Sequence, residues 1–180
     1  MKQLQKVVRS VLFVPCDRIK VMEKSINLKT DYIIFDLEDS VSPMKKDDAR
    51  RELCSFIEAI DKKKIKPNIA VRINCCHTTP WGKDDANAIS SLPIDAIVIP
   101  KVDSLDSLNQ TMKNFNSTKP IWPMIETCKG VTNCEFIAAA EHVEAIVLGG
   151  ILYLISFIKS PLATSLTSSL FFEILIKEMT

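Results

Sequence analysis

The sequence has no surplus of charge of either sign. Its 180 residues carry 23 Lys and Arg against 22 Asp and Glu, a formal net charge of +1. A nucleic-acid surface needs clustered excess cations. The one lysine run, Lys62, Lys63 and Lys64, is short and is followed by Pro67, a pattern typical of a solvated helix end. The charge pattern therefore argues against a nucleic-acid partner.

The sequence also lacks a hydrophobic run long enough to cross a bilayer. The apolar stretch that begins at Ile151 is interrupted by Lys159 and Pro161, far short of the roughly 20 residues that a transmembrane helix requires. No signal-peptide pattern precedes the first apolar run. We therefore expect a cytoplasmic protein that makes no membrane contact.

The cysteines show no CxxC spacing. There are six of them, at Cys16, Cys54, Cys75, Cys76, Cys128 and Cys134. Structural zinc sites use Cys or His pairs spaced two to four residues apart, whereas Cys75, Cys76 and His77 are contiguous. We expect reduced thiols and no zinc site.

The sequence does contain short apolar runs, rich in Val and Ile, that alternate with helix-like stretches. The runs are Ser10 to Pro15, Tyr32 to Asp39, Ile69 to Asn74, Asp95 to Lys101, Ile121 to Thr127 and Val143 to Gly150. Helical spacing of apolar residues occurs over 18–28, 44–60, 84–92, 105–115 and 134–140. Near-continuous apolar runs are typical of strands buried on both faces. This alternation predicts right-handed crossovers and a parallel sheet.

Polar side chains stand at the ends of most of these strands. They are Asp36, Glu38 and Asp39, then Arg72 and Asn74, then Lys101 and Glu126, with Gly149 and Gly150 ending the last run. Each alone has an ordinary explanation as a helix cap, a solvated loop charge or a buried ion pair. The carboxyl ends of parallel strands meet at one rim, so together they predict a site that binds an anion and a metal.

The motifs that carry these residues resemble one family. They are "RSVLFVP" from Arg9, "FDLEDSVSPMKKDDAR" from Phe35, "VRIN", "IPKVDS", "MIET" and "VLGG". In this order they resemble the citrate lyase beta-subunit family, also called the HpcH/HpaI aldolase group, of citryl-, malyl- and citramalyl-thioester lyases. The resemblance implies a (β/α)₈ TIM-barrel type of fold. We expect residues 1–150 to form a partial barrel of about six βα units, followed by a divergent apolar tail over 151–180.

The resemblance also implies a chemistry and a set of roles. The family cleaves a carbon–carbon bond with the help of Mg²⁺, releasing a 2-oxo acid and the acyl thioester of coenzyme A or an acyl carrier protein. Glu126 corresponds to a metal ligand that also belongs to the substrate-binding residues, and Arg72 to the catalytic arginine that binds substrate and stabilises its charge. Asp36, Glu38 and Asp39 correspond to carboxylates that orient metal-bound water or hold the arginine.

The first loop resembles the segment that holds coenzyme A in the malyl-thioester lyases. An aromatic residue, an arginine and a lysine there contact adenine and phosphates, and they fall on Phe13, Arg18 and Lys24 in this sequence. The ordinary alternative is that Phe13 belongs to the core and Lys24 is a solvated helix residue.

The family pattern stops after Gly150. A second metal carboxylate, an Asp, is expected about two residues later, where this sequence has Ile151 and Leu152, and no Asp follows Asp106. We therefore expect weak Mg²⁺ binding. The tail is either a strand and short helix that partly cover an open barrel or, as the abrupt change favours, an out-of-frame end.

Three functions remain open from the sequence. The first is a thioester lyase whose activity truncation impairs. The second is a non-catalytic relative that binds a thioester or a partner subunit. The third, an aldolase of 2-oxo acids that uses no coenzyme, is disfavoured by the first-loop pattern.

We expect strands one and six to remain unpaired to each other. An open barrel of this kind should be marginally stable and prone to associate, as a homo-oligomer or a lyase-complex subunit.

Overall fold

A computed structural model describes residues 8–149, together with the backbone of residues 174–176. The strands are β1 (Val11–Pro15), β2 (Tyr32–Asp36), β3 (Asn68–Arg72), β4 (Ala96–Ile99), β5 (Ile121–Ile125), β6 (Ala145–Leu148) and β7 (Ile174–Ile176). The helices are α1 (Ile19–Ser25), α2 (Lys46–Ala59), α3 (Gly82–Ile89), α4 (Leu105–Met112), α5 (Cys128–Thr132) and α6 (Cys134–Ala138), with a 3₁₀ turn at Pro43–Lys45. None of the helices within these residues is long and apolar enough to span a membrane.

The strands form one curled sheet in sequence order. β1 to β6 are parallel neighbours, and β7 pairs antiparallel with β6. This half-barrel, with six parallel strands among the described residues, confirms the predicted TIM-barrel type of fold. Among the described residues no pairing joins β1 to β6, as expected. The tail predicted over 151–180 lies outside the described residues except for β7, whose antiparallel direction differs from that of a parallel barrel strand.

The sheet has two apolar faces that pack differently. Ile33, Phe35 and Val71 belong to a large core that includes Leu53 and Ile57 of α2, so this is the outer, helix-covered face. The second cluster contains strand residues, Ile34, Ala70, Val98 and Trp122 among them, with no helix residue. It marks the inner, concave face. Successive side chains alternate between faces, so Arg72 lies on the inner face with Ala70.

The helices begin and end within a few residues of the predicted stretches, with one addition. The short helix α5 follows β5 directly and was not expected. Its N-cap is Thr127, whose side chain accepts a hydrogen bond from the Gly130 amide. Five residues are too few for a helical period to show in the sequence.

A buried carboxylate ties the loop after β3 to two helices. Asp85 is fully buried in α3 and accepts hydrogen bonds from the Asn74 amide (2.8 Å), Asn74 Nδ2 (2.7 Å) and Arg50 Nε (2.7 Å). The Asn74 side chain also donates to the Leu37 carbonyl (2.8 Å). Asn74 therefore supports the loop after β2 instead of facing a ligand.

Lys46 supports the same loop from α2. Its Nζ donates to the carbonyl oxygens of Leu37 (2.8 Å) and Glu38 (2.6 Å), and it is 5% exposed. Burial lowers the pKa of Lys46. The residues Lys46 and Arg50 of the "KKDDAR" motif thus fix the backbone that carries Glu38.

Replacing Asp85 by alanine is expected to destabilise the fold by about 3 kcal/mol, because Arg50 and Asn74 would keep buried donors without an acceptor. Urea unfolding followed by circular dichroism measures the effect. The neighbouring Asp84 is exposed, so Asp84→Ala is the matched control and should change stability by less than about 0.5 kcal/mol. Equal effects of the two substitutions would contradict this role of Asp85.

Candidate active site

Arg72 lies at the centre of a charged cluster on the inner face. It is 7% exposed, and strand pairing sets it beside Asp36. Its Nε donates to Asp36 Oδ1 (2.8 Å) and its Nη2 to Asp36 Oδ2 (2.7 Å), a bidentate pair. The Phe13 ring centroid lies 5.0 Å from the Arg72 Cζ. The guanidinium is therefore fixed in place, with Nη1 the nitrogen that Asp36 leaves unpaired.

Glu38 links Arg72 to a second cation, Lys101. Glu38 Oε1 accepts a 2.6 Å hydrogen bond from Lys101 Nζ, and Glu38 Oε2 lies 3.3 Å from Arg72 Nη1. Oε2 is buried and accepts no hydrogen bond from the described residues. Asp39 is 63% exposed and more distant, 3.9 Å from Arg72 Nη1 and 3.7 Å from Lys101 Nζ. Glu38 is thus the carboxylate that both cations share.

Glu126 joins the cluster through the backbone of Lys101. The Lys101 amide donates to Glu126 Oε1 (3.0 Å), and Lys101 has the left-handed φ of 55°. Gly149 lies against Glu126, since a Cβ on Gly149 would come within 2.8 Å of Glu126 Cγ. A glycine at this strand end leaves room for the carboxylate. We refer to Asp36, Glu38, Asp39, Arg72, Lys101 and Glu126 as the rim cluster.

Burial sets the electrostatics of the rim cluster. It raises the pKa of Glu126 and of Glu38, and the nearby Arg72 and Lys101 offset only part of the rise. Burial would also raise the pKa of Asp36, but the hydrogen bonds and charge of Arg72 outweigh it and hold that pKa below its usual value. The formal charge of the four carboxylates and two cations together is −2. Such a charge favours a divalent cation.

Most of the residues predicted from sequence meet here. Phe13, Asp36, Glu38 and Asp39 each lie against Arg72, and Glu126 joins them through the Lys101 amide. Arg18 precedes α1, is 68% exposed and lies 3.8 Å from Asp17 Oδ1. Lys24 is exposed in the last turn of α1, about 9 Å further along the helix axis. Their contact with coenzyme remains a prediction.

Three residues have functions that the sequence did not predict. Lys101 was expected at the rim but without a role, and its left-handed backbone has no local sequence signal. In the sequence, Lys46 and Asp85 have the pattern of ordinary charged residues on amphipathic helices. Only their burial shows that they support the loops of the site.

The rim cluster fits a weakly held Mg²⁺. Within the described residues no group of three or more His, Cys, Asp or Glu side chains is arranged to bind a metal. Mg²⁺ needs few protein ligands, because it keeps several waters and binds substrate oxygens. Glu126 uses Oε1 for the Lys101 amide, and among the described residues Oε2 accepts no hydrogen bond. One buried carboxylate in a negative cluster meets the minimum requirement.

Comparisons with known proteins support the family. A family model described as HpcH/HpaI aldolase/citrate lyase matches residues 9–157, and so extends past Gly150. The (3S)-malyl-CoA thioesterase of Cereibacter sphaeroides is 37% identical over 142 residues, which cover 78% of this chain and 48% of the relative. The L-malyl-CoA/beta-methylmalyl-CoA lyase of Rhodobacter capsulatus is 33% identical over 153 residues, with the same coverage. The chain spans about half the length of these curated relatives.

A solved structure has the same fold. CitE from Mycobacterium tuberculosis, crystallised with magnesium, acetoacetate and coenzyme A, superimposes with a TM-score of 0.67 at 24% identity, over 86% of this chain and 53% of that one. The half-barrel, the order of its motifs and the family match agree. The chain belongs to the HpcH/HpaI aldolase/citrate lyase family.

Proposed function

We propose that this chain carries the substrate- and metal-binding part of a Mg²⁺-dependent carbon–carbon lyase. The reaction splits an acyl thioester of coenzyme A or an acyl carrier protein, releasing a 2-oxo acid and a shorter thioester. The observation that carries the proposal is the chain of contacts Asp36–Arg72–Glu38–Lys101–Glu126 at the carboxyl ends of β2 to β5. Named lyase relatives support the reaction class.

The chemistry accounts for a buried arginine. Cleavage leaves the electron pair of the broken bond on the thioester fragment as an enolate, while the hydroxyl carbon becomes the carbonyl of the 2-oxo acid. The hydroxyl gives up its proton to solvent and the enolate carbon takes one up from solvent to form the shorter thioester, so protons balance. Negative charge develops on oxygen, and a fixed cation in a dry site stabilises it. Asp36 and Phe13 hold Arg72 in one orientation, so the cation is in place before substrate binds.

Glu126 is the carboxylate that would hold Mg²⁺. Bound there, the metal would polarise the carbonyl and carboxylate oxygens of the 2-oxo acid. Glu38 has a different role, because its carboxylate bridges two cations. It keeps Arg72 and Lys101 apart at a set distance and neutralises part of their charge.

The coenzyme part of the substrate is assigned to the first loop and α1. Arg18 and Lys24 are exposed cations that suit phosphate groups outside the rim cluster. Phe13 is 37% exposed and lies over Arg72, so we assign it to the wall between the coenzyme and the reacting atoms.

A non-catalytic binding protein is the alternative function. It is favoured because, within the described residues, no three or more His, Cys, Asp or Glu side chains are grouped so as to hold a metal ion. Incubation with (3S)-malyl-CoA and Mg²⁺ separates the possibilities. A lyase releases glyoxylate and acetyl-CoA, a thioesterase releases malate and free coenzyme A thiol, and a binding protein forms neither product but retains the ligand.

Glu126→Gln is expected to weaken Mg²⁺ binding by at least about tenfold from a dissociation constant that we expect to be on the order of millimolar. The substitution removes the one anionic ligand but keeps the size of the side chain. Mn²⁺, which is paramagnetic and prefers the same oxygen ligands, allows the free ion to be counted by electron paramagnetic resonance.

Glu135→Gln on α6 is the matched control for this measurement, because Glu135 is exposed. It should bind Mn²⁺ as the unmodified chain does. Unchanged affinity in Glu126→Gln would remove Glu126 from the metal site.

A further inference from the structure

Lys101 has hydrogen-bond donors to spare at the opening of the rim cluster. An ammonium group carries three donors. One is used at Glu38 Oε1, and Asp39 Oδ1 at 3.7 Å lies beyond hydrogen-bond distance. The side chain is 35% exposed, whereas that of Arg72 is 8% exposed. Of the two cations in the cluster, Lys101 is the more accessible to an incoming ligand.

The position of Lys101 is fixed by both its backbone and its side chain. A left-handed φ is unfavourable for a residue with a Cβ and persists only where the surroundings impose it. Here the amide bonds Glu126 and the ammonium bonds Glu38. Its backbone conformation therefore turns one residue toward two carboxylates of the site, which a solvated surface lysine would not require.

Asp36 takes one of the two bidentate edges of the Arg72 guanidinium, the edge formed by Nε and Nη2. Asp36 occupies Nε and Nη2 at 2.8 and 2.7 Å, which leaves Nη1, beside Met124 Sδ and Glu38. A 2-oxo acid presents a carboxylate in addition to the oxygen on which charge develops. The other edge includes Nη1, which Glu38 Oε2 already approaches at 3.3 Å, so a second cation beside it would help to bind both groups of the ligand.

We propose that Lys101 is the second substrate-binding cation of the site, contacting the carboxylate of the 2-oxo acid while its amide positions Glu126. The inference rests on the function proposed above and identifies the ligand of this residue as the oxo-acid carboxylate. Lys101 also offsets one negative charge next to the metal position. Its ammonium therefore strengthens anion binding and weakens cation binding.

Lys101→Met separates these two effects, since it removes the charge and keeps the stem and the backbone amide. Pyruvate affinity, measured by NMR titration at saturating Mg²⁺, should fall at least about fivefold. Mn²⁺ affinity without pyruvate should rise about two- to fivefold, because the cluster gains a net negative charge. Lys101→Arg restores a cation and should recover most of the pyruvate affinity.

Lys113→Met, at an exposed helix end, is the control and should leave both affinities unchanged. Unchanged pyruvate affinity in Lys101→Met, or a joint loss of pyruvate and Mn²⁺ binding, would overturn the inference while leaving the proposed function intact. An unmodified chain that binds neither Mn²⁺ nor pyruvate would overturn the proposed function and, with it, this inference.

Discussion

Arg72→Ala is expected to abolish 2-oxo acid binding and to lower the free energy of unfolding by about 3 kcal/mol or more. The substitution leaves the buried carboxylates of Asp36 and Glu38 without their shared cation. Calorimetric titration with pyruvate and Mg²⁺ measures the first effect, and urea unfolding measures the second.

Arg72→Lys separates charge from geometry at the same position. Lysine keeps the positive charge but cannot form the two parallel hydrogen bonds to Asp36. Part of the stability should return, while pyruvate binding stays well below that of the unmodified chain. Arg51→Ala, at a side chain that is 73% exposed, is the control for the loss of an arginine. If Arg72→Ala bound pyruvate or a thioester as tightly as the unmodified chain does, the assignment of Arg72 to substrate binding would be refuted.

Asp36→Asn is expected to destabilise the chain by about 3 to 5 kcal/mol at pH 7. Asparagine is nearly the same size, but it leaves the Arg72 guanidinium buried without its bidentate partner. Glu38 Oε2 lies 3.3 Å from Arg72 Nη1 and still offsets part of the Arg72 charge. The expected loss of stability therefore lies toward the lower end of this range. Asp106→Asn, at an exposed position in α4, is the control and should have little effect on urea unfolding.

The pH dependence of the stability difference between the unmodified chain and Asp36→Asn tests whether the charge of Asp36 causes it. Burial alone would raise the pKa of Asp36, but Arg72 outweighs it and the folded-state pKa is lowered. The stabilisation from Asp36 is therefore present above the unfolded pKa of about 3.9 and is lost as the pH falls through the lower folded value. The stability gap between the unmodified chain and Asp36→Asn should narrow below about pH 4. A gap independent of pH would mean that packing, not charge, causes the loss.

The strands, and the polar residues at their carboxyl ends, could be predicted from local sequence patterns. An apolar run of four to eight residues is recognisable because burial on both faces acts on every residue of the run. The order of the motifs around Arg72 and Glu126 also predicted the family to which the chain belongs. The family match confirms that prediction. The helix α5 was missed because its five residues are too short for a period to appear.

The partners within the site could not be predicted in the same way. The sequence offered three carboxylates near the end of β2 as candidates to hold Arg72. The in-register pairing of β2 with β3 gives the bidentate contact to Asp36, leaves Glu38 to bridge the two cations and puts Asp39 largely in solvent. The choice depends on strand register and curvature, which the spacing along the chain does not specify.

By itself, the sequence determined the parallel β/α order, the buried arginine at a strand end and the family, because each depends on residue type and spacing along the chain. The tertiary structure alone decided that Arg72 lies on the concave face with Asp36 on its bidentate edge. It also decided that Lys101 takes a left-handed backbone and turns its amide to Glu126. These features arise where residues distant in sequence compete for the same few ångströms of buried space, and there burial, charge and backbone geometry must be satisfied together.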